Sequence, residues 1–131
     1  MIVGIGMDLV EISRIEQMII KDKGNSLQKL LTEDERKQMM EFQNDHRKAE
    51  WVAGRFAAKE AVLKAFGTGL GGIIRLRDIE ILADRSGKPT VTLSPDAGQL
   101  VNDPFRYHLS ITHTATTAGA MIVIEQDTIQ S

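Results

Sequence analysis

The sequence predicts an α+β domain in which an antiparallel or mixed sheet packs against one long, buried helix, with shorter helices beside it. Two observations carry this. Helical patterns crowd the first half of the chain and strand patterns the second, a segregation typical of α+β folds. The stretch from about His46 to Phe66 is long enough for several turns, and from Val52 onward it is apolar nearly all round, as a helix inside a core must be.

Taken in order, residues 2–10 read as a central strand. Val3, Ile5, Met7 and Leu9 alternate with Gly4, Gly6 and Asp8, and a period of two is the strand signal. Glycines along one face of a strand mark a place where something approaches the backbone closely. Ser13-x-x-Glu16 and Thr32-x-x-Glu35 are capping-box patterns, which set helix starts near residues 14 and 33. Ile15, Met18 and Ile19 give the first of these helices its apolar stripe, and Gly24 ends it. The third and longest helix runs from about His46 to Phe66, with Gly67 where a stop glycine belongs. Beyond it, Ile79–Leu82 reads as a strand, residues 84–89 as a turn and Val91–Leu93 as a short strand. Ser94 followed by Pro95 is an N-cap with proline in the first turn, so a short helix covers about 95–102. Tyr107–Thr112 and Ala118–Glu125 form a hairpin around a threonine-rich loop.

The 131 residues make one domain, 1–131, large enough to bury about two thirds of its unfolded surface. Hydrophobic residues at 42% and charged residues at 26% are ordinary for a soluble globular chain. No apolar run approaches the roughly 20 residues that span a bilayer, so no membrane role is expected. The first residues lack a basic segment and Asp8 interrupts their apolar run, which argues against a signal peptide and for a cytoplasmic protein. With no cysteine, disulfides, thiolate zinc sites and cysteine nucleophiles are excluded. Net charge is −2, with 11 basic and 11 acidic side chains in residues 1–66 and 5 and 7 in the remainder. That balance is not a nucleic-acid footprint, which would be strongly basic.

The long helix is the most informative segment. From Val52 to Phe66 it holds ten apolar residues, one glycine and four charges: Arg55, Lys59, Glu60 and Lys64. Charges are rarely buried unless paired. At 100° per residue Arg55 and Lys59 share one side and Glu60 and Lys64 nearly the opposite one. Glu60 and Lys64 read either as a surface i,i+4 pair or as part of a site. Asp8 is either a strand end or a ligand. Together Asp8 and Glu60 would form a two-carboxylate site of the kind that holds Mg²⁺ with substrate phosphates, and Lys64, one turn beyond Glu60, would reach a phosphate. The run Gly67-Thr68-Gly69-Leu70-Gly71-Gly72 follows a helix rather than a strand, so its G-x-G-x-x-G spacing is not a dinucleotide fingerprint. It reads equally as a helix stop or as a loop that contacts a nucleotide. Ser110 and His113 lack the G-x-S-x-G elbow of a hydrolase. His108 alternates into its strand as a core histidine, whereas His113, at the strand end, is the better functional candidate.

These segments together resemble the holo-acyl-carrier-protein synthase family of phosphopantetheinyl transferases. The matching runs are Gly4-Ile5-Gly6-Met7-Asp8-Leu9-Val10-Glu11-Ile12 and Arg55-Phe56-Ala57-Ala58-Lys59-Glu60-Ala61-Val62-Leu63-Lys64-Ala65-Phe66-Gly67-Thr68-Gly69. Asp78–Ile81, Gly87-Lys88-Pro89 and Ser110-Ile111-Thr112-His113-Thr114 follow in the family order. The resemblance implies a phosphopantetheinyl-transferase-like fold and transfer of the phosphopantetheine arm of coenzyme A to a serine of apo-acyl carrier protein, in fatty acid biosynthesis, with adenosine bisphosphate leaving. It implies Asp8 and Glu60 as Mg²⁺ ligands and Lys64 as a phosphate contact and proton acceptor. It implies coenzyme A contacts at His46, where the family often has lysine, and at Arg47, Arg55, Gly67, Thr68, Gly69, Pro89 and His113. It further implies a homotrimer with sites between subunits.

The nucleophile would belong to the partner, which accounts for a chain with no serine or cysteine nucleophile of its own. The first helix presents Arg14, Met18 and Lys21 at i, i+4, i+7, a stripe suited to an acidic carrier protein. The competing readings are a non-catalytic, oligomeric coenzyme A-binding domain and a metal-dependent phosphohydrolase.

Overall fold

A computed structural model describes residues 1–21, 23, 25–67 and 72–127. In chain order the elements are β1 (Ile2–Glu11), α1 (Ile12–Lys21), α2 (Asn25–Leu30), α3 (Glu33–Met39), α4 (Asp45–Phe66), β2 (Ile79–Ala83), β3 (Pro89–Leu93), α5 (Pro95–Val101), β4 (Arg106–His113) and β5 (Thr117–Glu125). Two antiparallel sheets result, one ordered β1-β5-β4 and the other the hairpin β2-β3. This is the α+β arrangement the sequence predicts, with both sheets antiparallel.

Helix α4 is the spine. Ala53, Ala57, Ala58, Ala61, Val52 and Val62 are fully buried along it, and its small side chains let it lie flat on the large sheet. Ala118, Ala120, Ile122 and Ile124 of β5 face the same core. The glycines of β1 do what their pattern implies. A Cβ added at Gly4 would stand 2.0 Å from the Ala65 carbonyl oxygen, and one at Gly6 would stand 2.0 Å from that of Ala61. Only glycine permits strand and helix backbones to approach so closely.

Several details depart from the sequence reading. Strand β1 is an edge of its sheet, and β5 is central. Its glycine face meets α4, so the alternating apolar face points away: Ile5 and Leu9 are 61% and 69% exposed. Helix α1 starts at Ile12, because the chain bends directly out of β1, and Ser13 lies inside the helix. The second capping box forms as expected, with Thr32 Oγ1 accepting from Glu35 N–H and Glu35 Oε1 accepting from Thr32 N–H. Helix α2 was not anticipated; its six residues carry no capping signature, and it is placed by burial of Leu27 and Leu30. His108 is exposed on the outer face of β4 and meets Glu125 Oε1 at 3.0 Å, since the alternation turns Leu109 inward instead. Gly24, Thr68 and Gly69 lie outside the described residues.

The hairpin β2-β3 is joined to the helices by polar side chains. Along the edge of β2 that β3 leaves free, Ile81 N–H donates to Glu35 Oε2 at 2.7 Å. Ala83 N–H donates to Gln38 Oε1, and Gln38 Nε2 donates back to Ala83 O. Helix α3 thereby acts as a substitute strand, and none of these backbone groups is left unsatisfied.

Candidate active site

The close approach of β1 and α4 puts Asp8 beside the C-terminal half of the helix. Lys64 Nζ donates to Asp8 Oδ1 at 2.8 Å and to Met7 O at 3.2 Å. The Asp8 side chain is 17% exposed and that of Lys64 56%, so the lysine reaches down from solvent onto a sheltered carboxylate. The hydrogen bond to Asp8, the charge of Asp8 and then that of Glu60 hold the Lys64 ammonium above its ordinary range. Asp8, Glu60 and Lys64 therefore form one cluster. Of the two readings of Glu60 and Lys64, the surface ion pair is absent among the described residues; the lysine turns to Asp8, which offers both a charge and the adjacent carbonyl of Met7.

A second group of predicted residues meets elsewhere on α4. Arg47, Arg55 and His113 line one cleft of about 210 Å³ with Glu50, Trp51 and Ile111. Gly54, where a Cβ would press to 2.9 Å from Ile111 Cγ2, lets the floor of this cleft close up. Arg55 is 8% exposed, with its guanidinium 4.3 Å over the Trp51 ring and its Nε–H donating to Ile81 O at 3.3 Å. Burial pulls its pKa down and the charge of Glu35 pulls it back. Two cationic side chains and an imidazole around a cleft with an aromatic wall suit a phosphorylated, aromatic ligand.

The remaining candidates do not line this cleft, although His46 adjoins it through Glu50. His46 caps neither cluster: its Nδ1 is 2.8 Å from Glu16 Oε1 and its Nε2 is 3.2 Å from Glu50 Oε2. Pro89 opens β3, paired with Ala83. Gly67 ends α4 with φ of 107°, a left-handed value that favours glycine. On α1, Arg14 lies 5.7 Å over the Phe56 ring, Met18 lines a depression with Phe56, Leu30 and Leu76, and Lys21 is exposed in the last turn.

A sequence profile described as the 4'-phosphopantetheinyl transferase superfamily matches residues 4–118, which include both clusters. The chain belongs to that superfamily. Among its curated relatives within the superfamily is a holo-[acyl-carrier-protein] synthase of Listeria monocytogenes serotype 4a, 44% identical over 95% of this chain and 99% of that protein. Another of the same name, from Geobacillus sp., is 41% identical over 96% and 98%. The fold matches a crystal structure of a holo-(acyl-carrier-protein) synthase from Bacillus anthracis in complex with CoA (3',5'-ADP), with TM-score 0.81, 42% identity and coverage of 97% and 99%. It also matches the synthase of Neisseria meningitidis, with TM-score 0.84, 33% identity and coverage of 96% and 100%.

Glu50 and Trp51 are among the cleft residues that escaped the sequence reading. Glu50 lies between His46 and His113, with Oε2 3.8 Å from His113 Nε2, and Trp51 carries Arg55. Both had a signal in spacing, because Glu50 follows His46 by four residues and Trp51 precedes Arg55 by four, the interval of helical neighbours.

Proposed function

We propose that this protein transfers the 4'-phosphopantetheine arm of coenzyme A to a serine of an apo-acyl carrier protein, in fatty acid biosynthesis in the cytoplasm. The observation that carries this reading is the convergence of Arg47, Arg55 and His113 on one cleft in a chain of this superfamily. The structures of relatives bound to coenzyme A support it. No helix among the described residues is long and apolar enough to cross a membrane.

In the reaction, the serine oxygen bonds to the phosphorus next to the pantetheine arm. The bond from that phosphorus to the bridging pyrophosphate oxygen breaks, adenosine 3',5'-bisphosphate leaves, and the serine proton passes to a base, either water or the neutral Lys64 amine. Arg55 and Arg47 hold phosphates in the cleft, and Trp51 keeps the Arg55 plane fixed. Lys64 serves as an ammonium toward phosphate while Asp8 holds it charged; it accepts the serine proton only as the neutral amine, after leaving that carboxylate and giving one of its own protons to water.

The residues fit a Mg²⁺ ion. Asp8 and Glu60 are hard oxygen donors, and Asp8 already binds a cation in the form of the Lys64 ammonium. No group of three or more His, Cys, Asp or Glu that would cage a metal converges among the described residues. Two carboxylates leave the remaining positions to water and phosphate oxygens, which is the habit of Mg²⁺. When bound, the ion supplies neutralisation of pyrophosphate charge.

The exposed apolar face of β1, Val3, Ile5, Met7 and Leu9, continues onto Met121 of β5 and has no cover among the described residues. Such a patch marks an interface. A homotrimer closed over it, with the Asp8–Glu60–Lys64 cluster of one subunit beside the Arg55 cleft of the next, accounts for two half-sites on one helix. On α1, Arg14, Met18 and Lys21 are the proposed contacts for the carrier protein. Substitution tests the metal assignment: Asp8→Asn and Glu60→Gln should each cut transfer by about a hundredfold or more with unchanged circular dichroism. Near-normal turnover in either would overturn it.

A further inference from the structure

Buried charge is costly unless it is paired and hydrogen-bonded, and Glu35 and Lys59 are both fully buried. Lys59 Nζ donates to Glu35 Oε1 at 2.6 Å and to Leu30 O at 2.7 Å. Thr32 N–H donates to the same Oε1. The second oxygen, Oε2, accepts Ile81 N–H at 2.7 Å, and the carbonyl of that same Ile81 accepts Arg55 Nε–H at 3.3 Å. The carboxylate thus fixes one residue of β2, and that residue fixes the guanidinium lining the cleft. With Nε tied to Ile81 and the guanidinium held over the Trp51 ring, the outer nitrogens of Arg55 make no hydrogen bond among the described residues and are left to the ligand. Planar, bidentate recognition of a phosphate depends on such a fixed plane.

We infer that Glu35, clamped by Lys59, is a positioning residue for Arg55: it touches no substrate and sets the orientation of the phosphate-binding guanidinium through the Ile81 backbone. The inference rests on the reading of the Arg55 cleft as the coenzyme A site. The structure supplies its own control in Gln38. That side chain satisfies Ala83 on the same strand edge, two residues away, and its hydrogen bonds lead to no cleft residue.

The test compares Arg55→Ala, Glu35→Gln and Gln38→Leu for calorimetric coenzyme A affinity of the assembled protein and for KM and kcat in transfer. An amide has one acceptor oxygen where this network needs two, so Glu35→Gln orphans either Ile81 N–H or the Thr32–Lys59 pair. Glu35→Gln should weaken coenzyme A binding on the order of tenfold and raise KM in parallel, with kcat nearly unchanged. Gln38→Leu should lower thermal stability and leave the affinity for coenzyme A as in the wild type. If Glu35→Gln fails to fold, the double variant Glu35→Met, Lys59→Met removes both charges together and should show the same loss of affinity. Weak binding by Arg55→Ala with wild-type affinity in the folded Glu35 variant would overturn the positioning role and leave the cleft assignment standing. Equal losses in the Glu35 and Gln38 variants would also overturn it, because the effect would then belong to the strand edge. Unchanged affinity in Arg55→Ala would instead overturn the cleft assignment itself.

Discussion

Replacing Gly6 with alanine should separate β1 from α4 and disable the Asp8 cluster. The added Cβ would stand 2.0 Å from Ala61 O, 2.9 Å from Ala61 C and 3.0 Å from Ala65 N, while ordinary contact begins at 3.4 Å. All three atoms are helix backbone, so no side chain can rotate away, and the two elements must part by more than an ångström. Overpacking of this kind costs about 3 kcal/mol or more, which lowers the melting temperature by roughly 10 °C for a domain of this size. The same displacement draws Asp8 away from Lys64 and Glu60, and an error of about 1 Å in positioning can cost about a hundredfold in rate. Gly119→Ala is the matched control. Its Cβ meets Leu9 Cδ2 at 2.9 Å, the flexible end of an exposed side chain that can move aside. Thermal melts of both variants and the rate of carrier modification read the outcome. Gly6→Ala with wild-type melting and turnover would refute the reasoning, as would equal losses in the two variants.

Other consequences follow from the same geometry. The Lys64 pKa is raised in the folded protein, so on the alkaline side its ion pair with Asp8 persists through the ordinary lysine value of 10.5 and is lost as pH rises past the raised value; in an NMR titration Asp8→Asn should bring the Lys64 midpoint down, and an unmoved midpoint would contradict the contact. Charge reversal in the Arg14→Glu, Lys21→Glu double variant should raise KM for carrier protein and reduce its salt dependence while leaving KM for coenzyme A unchanged; unaltered carrier kinetics would show docking elsewhere. Mixing inactive Arg55→Ala with inactive Glu60→Ala subunits should restore part of the activity after subunit exchange, and no rescue would contradict sites shared between subunits.

Much of this molecule is legible in the sequence because its signals are local. The glycine alternation in β1 announced a close backbone approach, the capping box at Thr32 formed as spaced, and Ser94-Pro95 opened α5. Arg55, Lys59, Glu60 and Lys64 stood out as charges in an apolar helix; Arg55, Lys59 and Lys64 each have a hydrogen-bonded partner, and Glu60 acts on Lys64 through its charge. Their partners were not legible in spacing. Glu35 meets Lys59 across 24 residues and Ile81 across 46, and only the folded chain brings these together. Strand β1 misled for a related reason: it is its glycine face that packs on α4, and no described residue buries its apolar face. His108 was read inward because alternation alone does not say which of two interleaved sets faces the core.

The central claim is tested most directly by the intact mass of the carrier. The protein is incubated with coenzyme A, Mg²⁺ and apo-acyl carrier protein, and the carrier is weighed by mass spectrometry before and after. The account predicts a gain of one phosphopantetheine per carrier, with adenosine 3',5'-bisphosphate appearing in equal amount and no gain on a carrier whose acceptor serine is alanine. An unmodified carrier beside retained coenzyme A, or hydrolysis of coenzyme A without any gain by the carrier, would contradict it.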